Sequence, residues 1–422
     1  MATQAPPGRR KVLFLSLYQI RPPLSGGTLR TFALANALRR RGLDVFVYSF
    51  VARKSTYLSR QAPAVETWPS GAEGYVDRRT LWFLVQHFCW AFDLPPAWIT
   101  AYLRAAARSP GGRLLPGLLR ERLRRCDVVL ADTPFLHPIF EAGRGRLRVV
   151  NTHNVEHQAY RGPLGWKDRR CQQMVRDIEI EGAGACDVLV SCSRTDQQFF
   201  EANAKVRRSI LVPNGVDLER FRGIERHRAP TRRALGIADD VRLFLFTASK
   251  YGPNREAFDY LAAFAASHER LLEERKIHLL VVGNVVPEWV RRPGFTATGS
   301  VEAVEPYFAA ADAALNPIST GAGTNVKMAE FIAARLPILT TPFGARGFRI
   351  EDGETGFVFE KDDLATTLGT VAGLFETDPS RLRQIADRTY AGNEKDVDMD
   401  ACVADLAEAM GIGGSVPPGA TR

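Results

Sequence analysis

The stretch from residue 317 to residue 341 reads PISTGAGTNVKMAEFIAARLPILTT. It follows the short apolar run ADAALN, passes through a glycine-rich loop into a helical pattern, and returns in the β-branched run PILTT. Strand, loop, helix and strand in this order predict one unit of a parallel α/β sheet. A loop with Gly321 and Gly323 lets a backbone approach a ligand closely, and free N–H groups at the helix start favour an anion such as phosphate.

The same alternation extends over the whole chain. KVLFLSLY, DVFVYSF, CDVVLAD, LRVVNTH and DVLVSCS precede residue 200, and VRLFLFTAS and KIHLLVVGN open a second series after SILVPNGVDLERF. This predicts an α/β fold of two Rossmann-like, doubly wound parallel-sheet domains. We expect an N-terminal domain at 1–220, a C-terminal domain at 221–395, a helix at 396–412 that packs back on the N-terminal domain, and a disordered tail at 413–422.

Composition places the chain among ordinary soluble globular proteins. A chain of 422 residues is too long for a single hydrophobic core of typical size. Of its residues, 45% are apolar and 24% are charged. Six cysteines form no C-x-x-C pair, which favours reduced thiols in a cytoplasmic protein. The net charge of +9 favours anionic partners, but no nucleic-acid motif is present.

Two N-terminal segments leave membrane contact open. The run LWFLVQHFCWAF (81–92) is too short to span a bilayer, and its pattern favours a core helix over membrane contact. Seven arginines with interleaved leucines follow between Leu103 and Cys126, against the single acid Glu121. Such a stretch predicts either a solvated helix face or peripheral contact with an anionic membrane.

Three polar residues mark the helix that begins near residue 325 as a candidate nucleotide site. Thr324 or Asn325 can cap it, and Lys327 lies in its first turn, where a lysine opposes the helix dipole unless a phosphate is bound nearby. Glu330 lies three residues further, where a carboxylate can accept hydrogen bonds from the two hydroxyls of a ribose. The alternative is a solvated lysine and glutamate pair.

Through these motifs the sequence resembles the family 4 glycosyltransferases of GT-B fold. It most resembles the bacterial branch that carries GAGTN-x-K-x-x-E. VPNGVDLERF, RLPILTTPFGARG, TASKYGPNREAF (247–258) and THNVEHQAYR (152–161) are similar to segments of that branch. The resemblance implies two domains facing across a cleft, with a nucleotide-sugar held mainly by the C-terminal domain and the acceptor by the N-terminal one.

The resemblance also implies roles for individual residues. Gly26 and Gly27 in the first loop would contact the donor, and Glu330 would bind its ribose. Three residues at the start of the predicted helix would also contact the donor: Gly323, Thr324 and Asn325. Lys250, Lys327 and His153 would act at the reacting groups, and Asn154 and Glu156 would contact the acceptor. One departure is Ala322, because two-glutamate members of the family carry at that place a carboxylate that touches the donor sugar. A second is Ala248, where related sequences often carry glycine.

HNVEH (153–157) allows a second interpretation, since two histidines four apart beside a glutamate match the H-x-x-E-H pattern of some zinc peptidases. That interpretation needs both histidines on one helix with a third ligand elsewhere. Here the motif straddles a predicted strand end, which favours the role of His153 alone.

The resulting expectation is a retaining glycosyltransferase that needs no metal or other cofactor. Its partners would be a nucleotide-sugar donor and a saccharide, lipid-linked or other small-molecule acceptor, without nucleic acid. We expect it in the cytoplasm or at the inner face of the membrane. Inverting transfer, sugar-nucleotide epimerisation and a non-catalytic nucleotide-sugar-binding protein of the same fold remain as alternatives.

Overall fold

The computed structural model describes residues 9–23, 25–59, 63–91, 94–159, 169–321 and 325–411, without the side chains of Trp90 and Ala159. Within these ranges the chain divides into two compact units. The N-terminal unit holds residues 9–23, 27–213 and 400–411, and the C-terminal unit holds 25–26 and 214–399.

The N-terminal unit is built on an eight-stranded sheet. Its strands are β1 (Lys11–Tyr18), β2 (Asp44–Val51), β3 (Glu66–Thr67), β4 (Glu73–Val76), β5 (Val128–Ala131), β6 (Leu147–Asn151), β7 (Val188–Ser191) and β8 (Ser209–Leu211). They lie in the order β3-β4-β2-β1-β5-β6-β7-β8, and all pairs except β3–β4 are parallel. The six inner residues of β1 are buried, as expected for a strand covered on both faces.

Eight α-helices belong to the described part of this region. They are α1 (Gly26–Arg40), α2 (Lys54–Leu58), α3 (Thr80–Ala91), α4 (Ala97–Arg108), α5 (Gly117–Arg125), α6 (Glu156–Ala159), α7 (Arg169–Ala185) and α8 (Arg194–Asn203). Helix α1 follows β1 directly, so its first turn lies at the carboxyl end of the sheet, where ligands of doubly wound folds bind. The helices contribute fully buried residues to the hydrophobic core, among them Leu103, Leu119 and Phe200. These residues belong to the same core cluster as Leu13 and Leu15 of β1.

The C-terminal unit is built on a seven-stranded sheet. Its strands are β9 (Arg242–Thr247), β10 (Ile277–Val282), β11 (Val290–Arg292), β12 (Phe295–Ala297), β13 (Ala313–Asn316), β14 (Ile338–Thr340) and β15 (Phe357–Val358). The order is β11-β12-β10-β9-β13-β14-β15, and only β11–β12 is antiparallel. The two sheets, both dominated by parallel pairs and carrying helices, confirm the predicted α/β fold class.

The described helices of this unit are α9 (Arg228–Leu235), α10 (Gly252–Ser267), α11 (Glu269–Glu274), α12 (Glu305–Ala310), α13 (Val326–Ala333), α14 (Leu364–Thr377) and α15 (Pro379–Val397). The sequence pattern predicts a single helix across α10 and α11, but His268 interrupts it. The Ser267 hydroxyl donates to the carbonyls of Ala263 and Phe264. Such local side-chain bonds compete with helix continuation.

After residue 399 the chain returns to the N-terminal unit. Two short helices, α16 (Met399–Cys402) and α17 (Ala404–Ala409), end the described chain. The Arg40 Nε atom lies 2.8 Å from Asp400 Oδ2, and Arg10 donates to the Met410 carbonyl over 2.8 Å. The expected tail at 413–422 lies outside the described residues.

Candidate functional site

In the N-terminal unit, polar side chains gather at the carboxyl ends of β5 and β6. Asp132 follows β5 directly, and His153 follows β6 by two residues. These strands are adjacent and parallel, so their ends meet at one edge of the sheet. The Nε2 atom of His153 lies 3.0 Å from Asp132 Oδ1. The sequence interpretation selected His153 but not Asp132, although its position after a strand was the available signal.

Asp132 is buried and held from several sides. Its Oδ2 atom accepts a hydrogen bond from the Thr31 hydroxyl at 2.7 Å, and its Oδ1 atom accepts one from Asn151 Nδ2 at 2.8 Å. A carboxylate so placed only accepts, so the Nε2 atom of His153 carries the proton that points at it. In the neutral ring the Nδ1 atom is then an acceptor.

Gly27 lies beside the opposite side of the His153 ring. A β-carbon at Gly27 would lie 3.8 Å from His153 Nδ1, so the glycine leaves open the space that this nitrogen faces. Gly26 and Gly27 are the first two residues of α1. The structure thus brings Gly27 and His153 together within one unit.

The rest of the HNVEH motif is organised by a different carboxylate. Glu179 of α7 is fully buried and accepts hydrogen bonds from the backbone N–H of His157 at 3.1 Å and from its ring Nδ1 at 2.7 Å. His153 precedes α6, whereas His157 lies within it, and the two rings contact different acids. Within the residues that the structure describes, no three His, Cys, Asp or Glu side chains form a metal-ligand set. The geometry disfavours the zinc-peptidase alternative.

Glu156 is half-buried beside this cluster. Burial, together with the nearby charge of Glu179, raises the pKa of the Glu156 carboxyl to about 7. A hydrogen bond from Asn154 and the proximity of His153 act in the opposite direction. A carboxyl with a pKa near neutrality can exchange a proton at physiological pH.

In the C-terminal unit, α13 begins directly after the glycine-rich loop. Ala322, Gly323 and Thr324, all of which carry sequence predictions, lie outside the described residues. Asn325 occupies the N-cap position, but its Nδ2 atom donates to the Gly344 carbonyl over 3.2 Å. The side chain of Asn325 makes no capping hydrogen bond, and its carbonyl accepts from the N–H of Met328 over 3.0 Å. An anion at this helix start would contact the N–H groups of Val326 and Lys327.

Gly344 fixes the entry to this helix. Its carbonyl accepts from Asn325 and, over 3.3 Å, from Asn316 Nδ2 at the end of β13. A β-carbon at Gly344 would lie 2.5 Å from Thr340 Oγ1 and 2.7 Å from Asn316 Nδ2, inside contact distance. Asn316 and Thr340 are fully buried, so a side chain at this position would have to displace groups of the core. Only glycine fits here.

Lys327 is confirmed in the first turn of α13, with its ammonium group enclosed. The Nζ atom lies 2.7 Å from Asn254 Oδ1 and 4.1 Å from the centroid of the Phe246 ring. Burial lowers the pKa of Lys327 to about 7. A buried lysine with a strongly lowered pKa marks a candidate functional site.

Glu330, one turn further, is buried and ion-paired. Its Oε1 atom lies 3.2 Å from Nη1 of Arg220, whose Nε atom lies 2.7 Å from Glu305 Oε1. Burial raises the pKa of Glu330, and the Arg220 charge partly offsets this. The sequence interpretation missed Arg220, because nothing local in LERF indicates a partner 110 residues away.

Lys250 lies after β9 and is exposed. Its backbone N–H donates to Asn284 Oδ1 over 2.8 Å, which joins the loops that follow β9 and β10. Next to this bond, Gly283 has φ +127° and a β-carbon there would lie 2.3 Å from the Ala248 carbonyl oxygen. The loop that carries Lys250 is therefore fixed by its backbone.

Family models match most of the chain. Residues 24–220 match "Glycosyltransferase Family 4" and residues 242–376 match "Glycosyl transferases group 1". No curated protein gives a significant sequence match.

Solved structures of similar fold cover nearly the whole chain. Sucrose-phosphate synthase from Thermosynechococcus elongatus is 15% identical, with a TM-score of 0.66 over 95% of this chain and 98% of its own. HepE from Anabaena, in complex with UDP and glucose, is 15% identical, with a TM-score of 0.64 over 95% and 99%. WaaG, a glycosyltransferase involved in lipopolysaccharide biosynthesis, is 18% identical, with a TM-score of 0.60 over 96% and 100%.

These structures share the fold, and the family models give the type of domain. The chain is therefore built from the two domains of a GT-B-type glycosyltransferase, a family 4 domain over residues 24–220 and a group 1 domain over residues 242–376.

Proposed function

We propose that the protein is a retaining glycosyltransferase that transfers the sugar of a nucleoside-diphosphate sugar to an acceptor without a metal ion. One observation carries the proposal: at the start of α13, which Asn325 does not cap with its side chain, the enclosed ammonium group of Lys327 and the carboxylate of Glu330 lie one turn apart. This combination suits a diphosphate and the ribose attached to it.

The diphosphate would restore the charge of Lys327. A lysine with a pKa near 7 is only partly protonated in the empty protein, and a bound anion favours its charged form. The departing diphosphate gains negative charge in the transition state, so the ammonium group and the helix N–H groups bind it most strongly at that point. Lys250 would be a second phosphate contact, and backbone groups of Gly323, Thr324 and Asn325 would complete the cradle.

Glu330 would accept hydrogen bonds from the ribose hydroxyls. Its pairing with Arg220 favours the charged form of the buried carboxylate, against the effect of burial, and orients it. A ribose bound there would displace water, and its two hydroxyls would donate hydrogen bonds to the carboxylate.

His153 of the N-terminal unit would hydrogen-bond the donor sugar through Nδ1, and Gly26 and Gly27 would leave room for the donor. Asp132 fixes the ring, which is the usual role of a carboxylate behind a functional histidine. Asn154 and Glu156 would contact the acceptor. The acceptor hydroxyl would attack from the face of the leaving group and give its proton to the departing phosphate oxygen, so that no separate base is needed.

The structures of HepE contain UDP, UDP with glucose, or UDP-glucose. UDP-sugars are therefore the first donors to test, followed by GDP- and dTDP-sugars. For the acceptor we propose a saccharide, lipid-linked saccharide or other small molecule on the cytoplasmic side of the membrane.

Inverting transfer is a second candidate, because the same His153–Asp132 pair is also suited to a general base that deprotonates an acceptor. The test is a panel of donors of α configuration with NMR of the product. An α-linked product supports retention, and a β-linked product supports the second candidate. Full activity in excess EDTA is expected. Failure of every donor to release its nucleotide, despite tight binding of one of them, would favour a non-catalytic binding protein and overturn both.

A further inference from the structure

A cavity of about 500 Å³ opens at the amino edge of the C-terminal sheet. Its lining comes from the segment between α9 and β9, from the β11–β12 turn at 291–294, and from His278, the second residue of β10. Lys250 and Asn284 follow the opposite ends of β9 and β10. The cavity is therefore separate from the proposed nucleotide site, and its volume is typical of cavities that bind small organic molecules.

His278 brings a buried polar side chain to this cavity. The residue is 7% exposed, and its Nε2 atom lies 2.9 Å from Thr296 Oγ1. Among the described residues, no group makes a hydrogen bond with the other ring nitrogen, Nδ1. Buried polar atoms are rarely left without a partner, so this nitrogen indicates that the cavity holds water or a ligand.

Thr296 determines which nitrogen of His278 carries the proton. It is 1% exposed, and its hydroxyl has no hydrogen bond to a described residue other than the one with His278. If Nε2 carried the proton, the hydroxyl hydrogen would be buried without an acceptor, which is costly. The hydroxyl therefore donates to Nε2, and Nδ1 carries the proton. Burial lowers the pKa of His278 to about 4, so the neutral ring is the form present at physiological pH.

Arg291 is held at the cavity by the end of α9. Its Nη1 atom donates to the Leu235 carbonyl over 2.7 Å, and its Nη2 atom donates to the Gly236 carbonyl over 3.3 Å. The guanidinium group thus covers the negative end of the helix dipole. A guanidinium group has five N–H donors, so others remain for a ligand after these two bonds.

Arg292 adds a second guanidinium group. It is exposed and has no ion pair or hydrogen bond through its side chain with a described residue. The two acids of the loop after α9 have cations of their own: Asp240 Oδ2 lies 2.7 Å from Lys276 Nζ, and Asp239 Oδ1 lies 3.8 Å from Arg232 Nε. None of the described side chains that line the cavity is acidic. The cavity therefore favours an anion.

From these observations we infer that the cavity binds an organic phosphate. Arg291, Arg292 and the Nδ1–H group of His278 would donate to the phosphate, whose three terminal oxygens offer more acceptors than a carboxylate does. Ile237, Val241 and Pro293 line the cavity as well and would contact the remainder of the ligand. A free phosphate ion would fill only a small part of the volume, which favours the phosphate ester of a sugar or a nucleoside.

The inference does not depend on the proposed reaction, and NMR of the histidine rings tests it. The full-length protein, which has seven histidines, is labelled with ¹³C-histidine, and His278→Gln identifies the signals of His278. The titrants are glucose 6-phosphate and adenosine 5′-monophosphate, with glucose and inorganic phosphate as controls. We expect one of the two esters to shift the His278 signals with a dissociation constant below about 1 mM. Inorganic phosphate should bind at least tenfold more weakly, and glucose should not bind.

Matched variants decide which residues bind the ester. Arg292→Ser should raise its dissociation constant at least tenfold, through loss of a charge-assisted hydrogen bond. Arg383→Ser removes an exposed arginine of α15 that does not line the cavity, and should bind like the wild type. Lys327→Met should keep the affinity for the ester, and Arg292→Ser should keep the affinity for nucleotide, so the two sites are tested separately. Thermal melts show whether each variant is folded.

Four results would overturn the inference. The first is a dissociation constant above about 1 mM for both esters. The second is inorganic phosphate that binds as tightly as the better ester, and the third is an equal loss of affinity in Arg292→Ser and Arg383→Ser. The fourth is a loss of ester binding in Lys327→Met but not in Arg292→Ser, which would assign the phosphate to the nucleotide site.

Discussion

Replacing Lys327 with methionine should change the pH dependence of stability and the affinity for nucleotide at the same time. The variant keeps most of the side-chain volume beside Phe246 but removes the ammonium group. Burial lowers the pKa of Lys327 from 10.5 to about 7, and each unit corresponds to about 1.36 kcal/mol. The upper limit for the cost of keeping this group charged in the folded protein is therefore about 4.8 kcal/mol.

The sign follows from proton binding. Between pH 7 and 10.5 the unfolded chain holds a proton on Lys327 that the folded chain has lost, so the stability of the wild type rises with pH. Relative to Lys327→Met, the wild type should gain about 2 kcal/mol between pH 7 and pH 9. Loss of the contacts with Phe246 and Asn254 changes the stability difference between the two proteins by a similar amount at every pH. The change of this difference with pH is therefore largely unaffected.

Urea unfolding at pH 7, 8 and 9 measures the slope. Lys205→Met, which removes an exposed lysine, is the control and should follow the wild type at every pH. In the same proteins, calorimetric titration with UDP, GDP or dTDP, whichever binds best, should show a dissociation constant about 10- to 100-fold higher for Lys327→Met, as expected for the loss of a charge-assisted hydrogen bond. A stability difference that is the same at pH 7 and 9 would refute the buried, partly neutral lysine, and unchanged nucleotide affinity would refute its role in the donor site.

Three further substitutions test the remaining parts of the site. Glu330→Gln should raise the nucleotide dissociation constant at least about tenfold, because an amide is a weaker acceptor for ribose hydroxyls, whereas Glu305→Gln, which also loses a contact with Arg220, should stay within about twofold; equal effects would mean that Glu330 serves only the ion pair. Asp132→Asn should lower kcat about 100-fold and leave the donor KM within a few-fold, because His153 loses its orienting acceptor; an unchanged kcat would show that the pair is structural. Glu156→Gln should be as stable as the wild type at pH 4 and more stable by up to about 3 kcal/mol at pH 8. The reason is that the pKa of Glu156 is raised to about 7 in the folded protein, so the wild type loses stability as pH rises from about 4.5 to 7. Thermal melts at both pH values measure the difference, and a difference that does not change with pH contradicts the reasoning.

The fold could be predicted because its signals are local. Runs such as KVLFLSLY and KIHLLVV consist mainly of apolar residues, as is typical of strands covered on both faces, and polar residues follow them at the sheet edge. For the same reason Lys327 and Glu330 could be selected from their positions in the first turns of a helix, whereas the role of His153 came from the resemblance to a known family.

What the sequence could not show depends on contacts between distant residues. Asp132 and His153 follow different strands, and Arg220 and Glu330 are separated by 110 positions, so neither pair leaves a pattern in the chain. The inward turn of Gln86 was equally hidden, because it depends on Tyr18 and on Trp98, whose Nε1 atom donates to Gln86 Oε1. Composition indicates that α3 is apolar, but only packing decides which side of it meets water.

Gly344 limits how the C-terminal unit can change during evolution or in the laboratory. Its carbonyl joins Asn316 and Asn325, and its α-carbon has no room for a substituent beside Thr340. A mutation here would separate the strand end from the helix that follows it and so disturb the proposed nucleotide contacts without replacing any of them. Chimaeras that exchange sugar specificity among relatives should therefore inherit the segment from 316 to 344 from a single parent.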